Sequence, residues 1–493
     1  MRKAGILMAI SSLPSKYGIG CFSKEAYDFV DFLAASGEKI WQILPLGPTG
    51  YGDSPYQSFS TFAGNPYYID LEEFIEKGWL KSKDCEKYNY GNPEYVEYEV
   101  IFKSRFALLR KAFEKSNIQE SKEFKEFVKE NKYWLDNYAL YMAIKDSKGG
   151  RSWLEWEKPI KTRQKSAIDK YKKELKDDYD FYCFQQYYFC KQWFALKKYA
   201  NDKGIEIVGD IPIYVALDGS DTWGNPELFQ LDKDCNPTSV AGCPPDCFSL
   251  KGQLWGNPLY DWDYHKKTDY DWWMKRIEYC YKLYDVVRID HFRGFDEYYS
   301  IPADREDAVV GEWVKGPGYD LFRVMKERIG NKPVIAEDLG FLTDSVIKLV
   351  KKTKYPGMKI LQFAFDSRDE SDYLPYNYPR NCVVYTGTHD NDTTRGWYET
   401  VGRKDKSFAR RYMQVKSGKD ICDKMIRTAL SSVADTAVIP MQDILGLGGE
   451  ARMNVPSTLG TNWKWRMKKD AINDELAARL LDMNRLYGRT KRH

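Results

Sequence analysis

Acidic side chains follow several short apolar runs in this sequence. Asp210, Asp290 and Glu337 lie at or directly after runs of Val, Ile and Ala, and Asp390 belongs to a fourth such stretch at 386–392. Two neighbouring carboxylates can cleave a glycosidic bond with retention of configuration when they stand about 5–5.5 Å apart, one as nucleophile and one as acid/base. The acids therefore indicate carbohydrate chemistry.

The residues beside the acids suggest a role for each. Side chains two apart in a strand point to the same side, so Arg288 can keep the carboxylate of Asp290 ionised as a nucleophile. Glu337, crowded by ionised neighbours, should keep its proton to higher pH, which suits a general acid. Asp390 would hold sugar hydroxyls and distort the ring. A single acid at a strand end could merely cap the next helix, but four strand ends together favour a site.

Histidine and aromatic residues support a sugar site. Only four histidines occur, and two of them, His291 and His389, directly flank the proposed acids, where neutral imidazoles can donate to hydroxyls. The 15 Trp, 37 Tyr and 24 Phe residues lie in many places beside Gly, Asn, Pro and Asp. Flat side chains in such loops can lie against the C–H faces of sugar rings.

The elements that must position these residues read as alternating strands and helices. Apolar runs followed by turn residues and helical periodicity are typical of β/α units around a parallel sheet, and eight such runs predict a closed (β/α)₈ TIM barrel of the α/β class. Reactive side chains of such barrels stand at the C-terminal ends of the strands. The predicted strands span residues 5–10, 40–44, 205–211, 286–290, 334–337, 359–365, 383–388 and 437–441.

Uneven spacing between the strands locates two insertions. Residues 72–200 are predicted as a mainly helical insertion after strand two, which separates barrel segments 1–71 and 201–493. Residues 216–262, after strand three, are rich in Gly, Pro and Asn and are predicted as long loops with little regular structure. An amphipathic helix is expected near 472–486, and no C-terminal β-domain is expected.

Charge and cysteine content argue against several other classes of protein. The formal net charge of +3 gives no global field to attract nucleic acid or an anionic membrane, and no apolar run approaches the roughly 18 residues that span a bilayer. Ten scattered cysteines suit reduced thiols in a cytoplasmic protein. Cys243, Cys247, Cys235 and His265 lack the regular spacing of a zinc site, so neither a metal nor a cofactor is predicted.

Three motifs carry a family resemblance. Val-Arg-Ile-Asp-His-Phe-Arg-Gly at 287–294, Ala-Glu-Asp-Leu-Gly at 336–340 and Gly-Thr-His-Asp-Asn-Asp-Thr-Thr at 387–394 resemble the signature regions of the 4-α-glucanotransferases called amylomaltase or disproportionating enzyme, which belong with the wider α-amylase clan. The resemblance runs from the first predicted strand to the eighth. Further matching stretches lie at 11–15, 50–57, 209–215 and 254–262.

The resemblance implies an activity and a set of roles. The substrates would be maltooligosaccharides and α-1,4-glucans, with a glucan segment moved to the 4-hydroxyl of an acceptor and no calcium site. Asp290 would form a β-glucosyl enzyme, Glu337 would be the acid/base and Asp390 the transition-state stabiliser. The implied donor subsite consists of Arg288, His291, His389 and Asp210, with Tyr56 as a stacking platform and Ser54 nearby, and the implied acceptor side includes Trp255 and Asp246.

Other functions stay open at the level of sequence. A glucan hydrolase would share the three acids and differ only in delivering water rather than a sugar hydroxyl to the intermediate, so the aromatic-rich loops at 48–62 and 243–262 would have to exclude water. A non-catalytic glucan-binding protein would be expected to have lost at least one acid. A nucleotide-binding enzyme is disfavoured because Gly18-Ile-Gly20 lacks the final glycine of the fingerprint.

Overall fold

A computed structural model of the chain describes residues 2–50, 52–245, 250–340, 342–368 and 370–491. Its strands account for both the predicted barrel and a second, smaller sheet. The strands are β1 (Lys3–Leu7), β2 (Ile40–Gln42), β3 (Glu206–Pro212), β4 (Ser239–Cys243), β5 (Gln253–Pro258), β6 (Val286–Asp290), β7 (Glu297–Pro302), β8 (Glu312–Lys315), β9 (Val334–Ala336), β10 (Gly357–Ile360), β11 (Cys382–Tyr385) and β12 (Thr436–Pro440).

Eight of these strands form one parallel sheet in the order β10-β11-β12-β1-β2-β3-β6-β9. The predicted (β/α)₈ barrel is thereby confirmed. The fourth predicted strand has the observed bounds, whereas those predicted at 5–10, 359–365 and 383–388 extend too far. In each of these three cases the prediction includes turn residues at the mouth of the barrel, most of which are buried.

The barrel wall closes between β9 and β10, the strands at the two ends of the sheet order. The backbone N–H of Ala336 donates to the carbonyl of Pro356 (3.0 Å), and that of Met358 donates to Oδ1 of Asp338 (2.7 Å). A Cβ atom on Gly357 would lie 2.2 Å from Oδ2 of Asp338, so only glycine lets the carboxylate reach the strand. The side chain that follows Glu337 thus completes the wall.

Helices cover the outside of the barrel and fill most of the long segment between β2 and β3. Among the described residues, none of them is both long and apolar enough to cross a bilayer. The helices are α1 (Lys24–Ala35), α2 (Glu72–Glu76), α3 (Ser82–Glu86), α4 (Tyr98–Ser116), α5 (Lys122–Glu130), α6 (Lys132–Ser147), α7 (Lys158–Lys161), α8 (Lys165–Glu174), α9 (Lys176–Asp202), α10 (Ser220–Gly224), α11 (Trp262–Lys267), α12 (Asp271–Leu283), α13 (Tyr319–Ile329), α14 (Asp344–Thr353), α15 (Thr394–Thr400), α16 (Arg403–Met413), α17 (Ile421–Ser431), α18 (Met441–Ile444) and α19 (Asp474–Leu486).

Helix α9 fixes the segment that follows β2 against the barrel. Gln186 is fully buried; its Oε1 accepts from the N–H of Gly64 (2.7 Å) and its Nε2 donates to the carbonyl of the same residue (2.9 Å). The indole N–H of Trp193 donates to the carbonyl of Leu283 at the end of α12 (3.0 Å). Because buried polar groups are costly when unpaired, these bonds specify how the helix lies on the barrel.

A four-stranded antiparallel sheet with the order β5-β4-β7-β8 corrects the expectation that residues 216–262 have little regular structure. Strands β4 and β5 belong to that segment, and β7 and β8 come from the chain after β6. The register between β4 and β5 shifts between Val240 and Gly242, which breaks the alternation that predicts a strand. The other partner of β4, strand β7, is remote in sequence, so no local hairpin signal reveals that pairing.

The chain after α19 seals the N-terminal mouth of the barrel. Arg489 is fully buried, and its guanidinium donates only to backbone carbonyls, so that one planar side chain joins β1, α17, the turn before β12 and the end of the chain. The accepting residues are Lys3, Ala429, Leu430, Ser432 and Ala434, at 2.7–3.3 Å.

Replacing Arg489 by Ala should therefore lower the free energy of unfolding by about 3 kcal/mol, because five carbonyls lose their donor in a buried place. Urea denaturation or the melting temperature measures the loss. Arg489→Lys should recover only part of it, since an ammonium cannot span the same carbonyls. Arg485→Ala, an exposed position near the end of α19, serves as the control. Equal stability of Arg489→Ala and the wild type would contradict this role.

Candidate active site

The predicted acids lie at one mouth of the barrel. Asp210 is in β3, Asp290 is the last residue of β6, Glu337 directly follows β9, and Asp390 lies in the turn after β11. Strands β3, β6 and β9 are parallel neighbours, with Asp210 opposite Arg288, and β11 belongs to the same parallel sheet. Parallel strands end at a common edge, so the side chains at their C-terminal ends share one cleft.

Arg288 neutralises the centre of this mouth. Its Nη1 donates to both carboxylate oxygens of Asp210 (2.7 and 2.6 Å), and its Nη2 lies 3.0 Å from Oδ1 of Asp290. Burial opposes the guanidinium charge, but the carboxylates of Asp210 and Asp290 outweigh it and raise the pKa of Arg288 well above its usual value. The Asp210 side chain is fully buried and that of Asp290 is 30% exposed, so of the two only Asp290 is open to a substrate.

Glu337 is held by the backbone around it. Its Oε2 accepts from the N–H of His291 (2.7 Å) and its Oε1 from the N–H of Leu339 (3.0 Å). Burial and then the charge of Asp290 raise the pKa of Glu337 to about 8, against the opposing effects of Arg288 and the two backbone donors. Sequence reasoning attributed such a shift to crowding alone, but burial is the larger cause. Glu337 therefore carries a proton at neutral pH.

Residues that follow β12 hold Asp390 in place. The Nδ2 of Asn454 donates to its Oδ1 (2.6 Å), and Nη2 of Arg452 donates to its backbone carbonyl (2.6 Å). On the other side, Nε2 of His389 lies 3.4 Å from Oδ2. The side chain of Asp390 is 45% exposed, so the carboxylate is aimed by its neighbours and still accessible from the cleft.

An aromatic wall stands beside Asp390. The ring of Tyr56 stacks on that of His389 with centroids 5.0 Å apart, and Trp463 packs against both rings. The Tyr56 hydroxyl donates to Oδ2 of Asp210 (2.8 Å), which links this wall to the ion pairs. Ser54 lies at the base of the same loop, where its Oγ accepts from the N–H of Tyr56 (3.3 Å).

The small sheet supplies the opposite wall. Trp255, on β5, lies edge-on to the ring of His291 with centroids 4.9 Å apart, and its indole N–H donates to Oε1 of Gln253 (3.1 Å). His291 has a left-handed backbone (φ 52°), and its N–H donates to Oε2 of Glu337. Burial lowers the pKa of the His291 imidazole to about 4, so it is neutral in the cleft.

Comparison with known proteins identifies the family. The family model described as 4-alpha-glucanotransferase matches residues 8–472. The chain belongs to the 4-alpha-glucanotransferase family. It is 52% identical to the 4-alpha-glucanotransferase of Clostridium butyricum over 98% of this chain and 100% of that protein, and 45% identical to that of Thermus thermophilus over 98% of each. The structure of an amylomaltase from Streptococcus agalactiae in complex with acarbose covers both chains completely, with 43% identity and a TM-score of 0.96.

Most of the residues predicted for a 4-alpha-glucanotransferase site come together at this mouth. Asp246 lies outside the described residues. Arg452, Asn454 and Trp463 were not predicted from the sequence. Functional side chains of a barrel lie after the C-terminal ends of its strands, and applying this rule to the segment after β12 could have found them. Among the described residues, no group of three or more His, Cys, Asp or Glu is arranged to hold a metal ion. The predicted residues in the cleft are Ser54, Tyr56, Asp210, Trp255, Arg288, Asp290, His291, Glu337, His389 and Asp390.

Glu337 should make the stability of the protein depend on pH. Its carboxyl has a pKa of about 8 in the folded chain against a usual 4.5, so the folded state holds a proton that the unfolded state releases between these values. Stability is therefore lost as pH rises from 4.5 to about 8. Relative to the wild type, Glu337→Gln should gain at most about 1.4 kcal/mol of unfolding free energy per pH unit over this window.

Urea unfolding at pH 5, 6, 7 and 8 measures this difference. The comparison uses the change with pH rather than the absolute value, because the Gln amide can satisfy only one of the two backbone donors. Glu130→Gln, at an exposed position at the end of α5, is the control and should show no such trend. A constant difference between Glu337→Gln and the wild type would contradict a raised pKa.

Proposed function

We propose that this 4-alpha-glucanotransferase transfers a segment of a maltooligosaccharide or α-1,4-glucan to the 4-hydroxyl of an acceptor glucan through a covalent glucosyl enzyme. The observation that carries the proposal is the contrast between two acids on neighbouring strands. Asp290 forms an ion pair with Arg288, whereas Glu337 receives two backbone hydrogen bonds, has no ion pair in the described part of the chain, and is protonated at neutral pH because its pKa is raised. Nucleophile and general acid need these opposite states.

In the first step an oxygen of Asp290 attacks the anomeric carbon of the donor. The bond from that carbon to the glycosidic oxygen breaks, and Glu337 gives its proton to the departing oxygen. The donor is cleaved, and its non-reducing segment remains as an ester on Asp290. Asp390 and His389 accept from and donate to hydroxyls of the ring at the reacting centre, which supports the distorted, positively charged transition state.

In the second step the pair changes roles. The ester on Asp290 carries no charge, so the contribution of Asp290 to the raised pKa of Glu337 disappears and the carboxylate of Glu337 becomes easier to form. Glu337 then takes the proton of the acceptor 4-hydroxyl as that oxygen attacks the anomeric carbon and releases Asp290. Both carboxyl groups return to their starting states, and the net change is an exchange of one α-1,4 bond for another.

The walls of the cleft favour a sugar over water as acceptor. Trp255 packs edge-on against the uncharged ring of His291 on one side, and Tyr56 and Trp463 form the aromatic wall on the other. A hydroxyl held against such walls reacts at an effective concentration that can reach about 10⁵ M or more, far above that of free water. The structure of the related streptococcal amylomaltase in complex with acarbose is consistent with a glucan substrate.

Maltotriose tests the proposal directly. The purified protein should convert it to glucose and longer maltooligosaccharides while the total of reducing ends stays constant, as chromatography and a reducing-end assay measure. Asp290→Asn should lower this rate by about 10⁴-fold or more, because the nucleophile is lost. Asp435→Asn, a carboxylate just before β12 at the opposite mouth, is the matched control and should act like the wild type.

A rising total of reducing ends would favour the alternative, a glucan hydrolase. Retention of transfer in Asp290→Asn would remove the assigned nucleophile. Neither outcome depends on the length of donor that the protein prefers, since maltotriose serves as both donor and acceptor.

The pH dependence of the rate tests Glu337. As general acid it must be protonated, so kcat/KM for maltotriose should fall as pH rises through about 8. Glu337→Gln should lose about 10²–10⁴-fold in kcat/KM with maltotriose. With a maltosyl fluoride donor, whose leaving group needs little acid, the variant should keep its glucosylation step without a basic limb. A variant that retained the wild-type basic limb would exclude Glu337 as the acid.

A further inference from the structure

One buried carboxylate that the proposed mechanism does not use lies directly behind the turn that carries Asp390. This turn, residues 387–393, is called here the Asp390 loop. It lies between Thr386 and Thr394, and Thr394 is the first residue of α15. Asp443, on the short helix α18 that follows β12, contacts both ends of this loop. Its Oδ2 accepts from the hydroxyls of Thr386 (2.5 Å) and Thr394 (2.7 Å), and its Oδ1 accepts from the N–H of Thr394 (2.7 Å).

Asp443 differs from most side chains that hydrogen-bond to a loop because its carboxylate is buried. The side chain is 1% exposed, and no Lys, Arg or His lies within ion-pair distance among the residues that the structure describes. Burying a carboxylate without a cation costs free energy. A neutral Asn or Ser at this position would cost less to bury but would accept fewer hydrogen bonds. Three donors from two chain positions converge on it, so it holds both ends of the loop at a fixed separation.

The remaining contacts of the loop transmit this constraint to Asp390. Asn391 accepts through its Oδ1 from the N–H and hydroxyl of Thr388, and Nε2 of Gln362 donates to the carbonyl of Asp392 (2.8 Å). With its ends fixed and its interior hydrogen-bonded, the loop presents the carboxylate of Asp390 to Asn454, whose Nδ2 donates to Oδ1 (2.6 Å). If the ends separate, the carboxylate of Asp390 shifts relative to Asp290 and Glu337.

We infer that Asp443 is a positioning residue, which sets the place of the Asp390 carboxylate by clamping the two ends of the Asp390 loop. The inference rests on the proposed function, because the position of Asp390 matters only if that acid acts on the substrate. Asp443 itself is 1% exposed and therefore closed to a substrate. Its effect on the reaction passes through Asp390.

Removing the clamp should lower kcat while substrate binding is largely kept. Asp443→Ala should lose on the order of 10²-fold in kcat for transfer from maltotriose, with KM changed less than about threefold, because a displacement of about 1 Å in a reacting group can cost that much. Asp443→Asn should stay within about fivefold of the wild type, since its carbonyl can accept from Thr394 N–H and its amide can donate to hydroxyls that rotate. An unchanged kcat in Asp443→Ala would overturn the inference.

A second buried acid separates positioning from loss of stability. Glu38 is 4% exposed and accepts from Nδ2 of Asn484 (2.8 Å) beside the start of β2, at the opposite mouth. Glu38→Ala should lower the melting temperature as Asp443→Ala does and leave kcat of the folded enzyme unchanged. Equal kcat losses in both variants would mean a general effect of destabilisation. If Asp443→Ala does not fold, Thr386→Val removes one arm of the clamp, and a wild-type kcat there would overturn the inference.

A double-mutant cycle tests whether the effect passes through Asp390. With maltosyl fluoride as donor, which relieves the need for acid, Asp443→Ala should still slow glucosylation on the order of 10²-fold in the wild-type background. In the Asp390→Asn background the same substitution should cost less than about threefold, because the group being positioned is already lost. Additive losses would show that Asp443 acts elsewhere and would overturn the inference. Failure of the wild type to transfer from maltotriose would instead reject the proposed function.

Discussion

A guanidinium buried among carboxylates is the interaction on which the cleft depends. Without Arg288, the side chains of Asp210 and Asp290 would repel each other at the end of two adjacent strands, and the fully buried Asp210 could not remain charged. Its charge is shared unevenly. Both oxygens of Asp210 are engaged at short distance and one oxygen of Asp290 at 3.0 Å, which leaves a charged oxygen of Asp290 available to react.

The same arrangement separates the behaviour of the two central acids. Glu337 receives two backbone N–H bonds but no ion pair among the residues that the structure describes, so burial governs its proton. His291, which donates one of these bonds, has a left-handed backbone, and the Asp338 side chain that closes the barrel directly follows Glu337. The candidate acid/base, its backbone donor and the carboxylate that closes the barrel thus lie together at the ends of β6 and β9.

The amino-acid sequence predicts the barrel well because each strand is a local apolar run. Val286–Asp290 has the predicted bounds, and the alternation of Arg288 with Val287 and Ile289 predicts which side chains face the cleft. The small sheet escaped prediction because β4 pairs with β7 across a gap in sequence and with β5 across a register shift. Asn454 and Asp443 were missed for a related reason. Each contacts the Asp390 loop or its ends from the chain that follows β12, and neither belongs to a recognisable motif.

The two ends of the described chain meet on the face away from the cleft. Arg2 donates to the carbonyl of Tyr487 (2.9 Å), close to the buried Arg489, and β1 begins at the same mouth. An affinity tag or a solid support attached at either end would therefore leave the reacting mouth turned toward the solution. A circular permutant, with the two ends joined and new termini in an exposed loop, would need only a short linker.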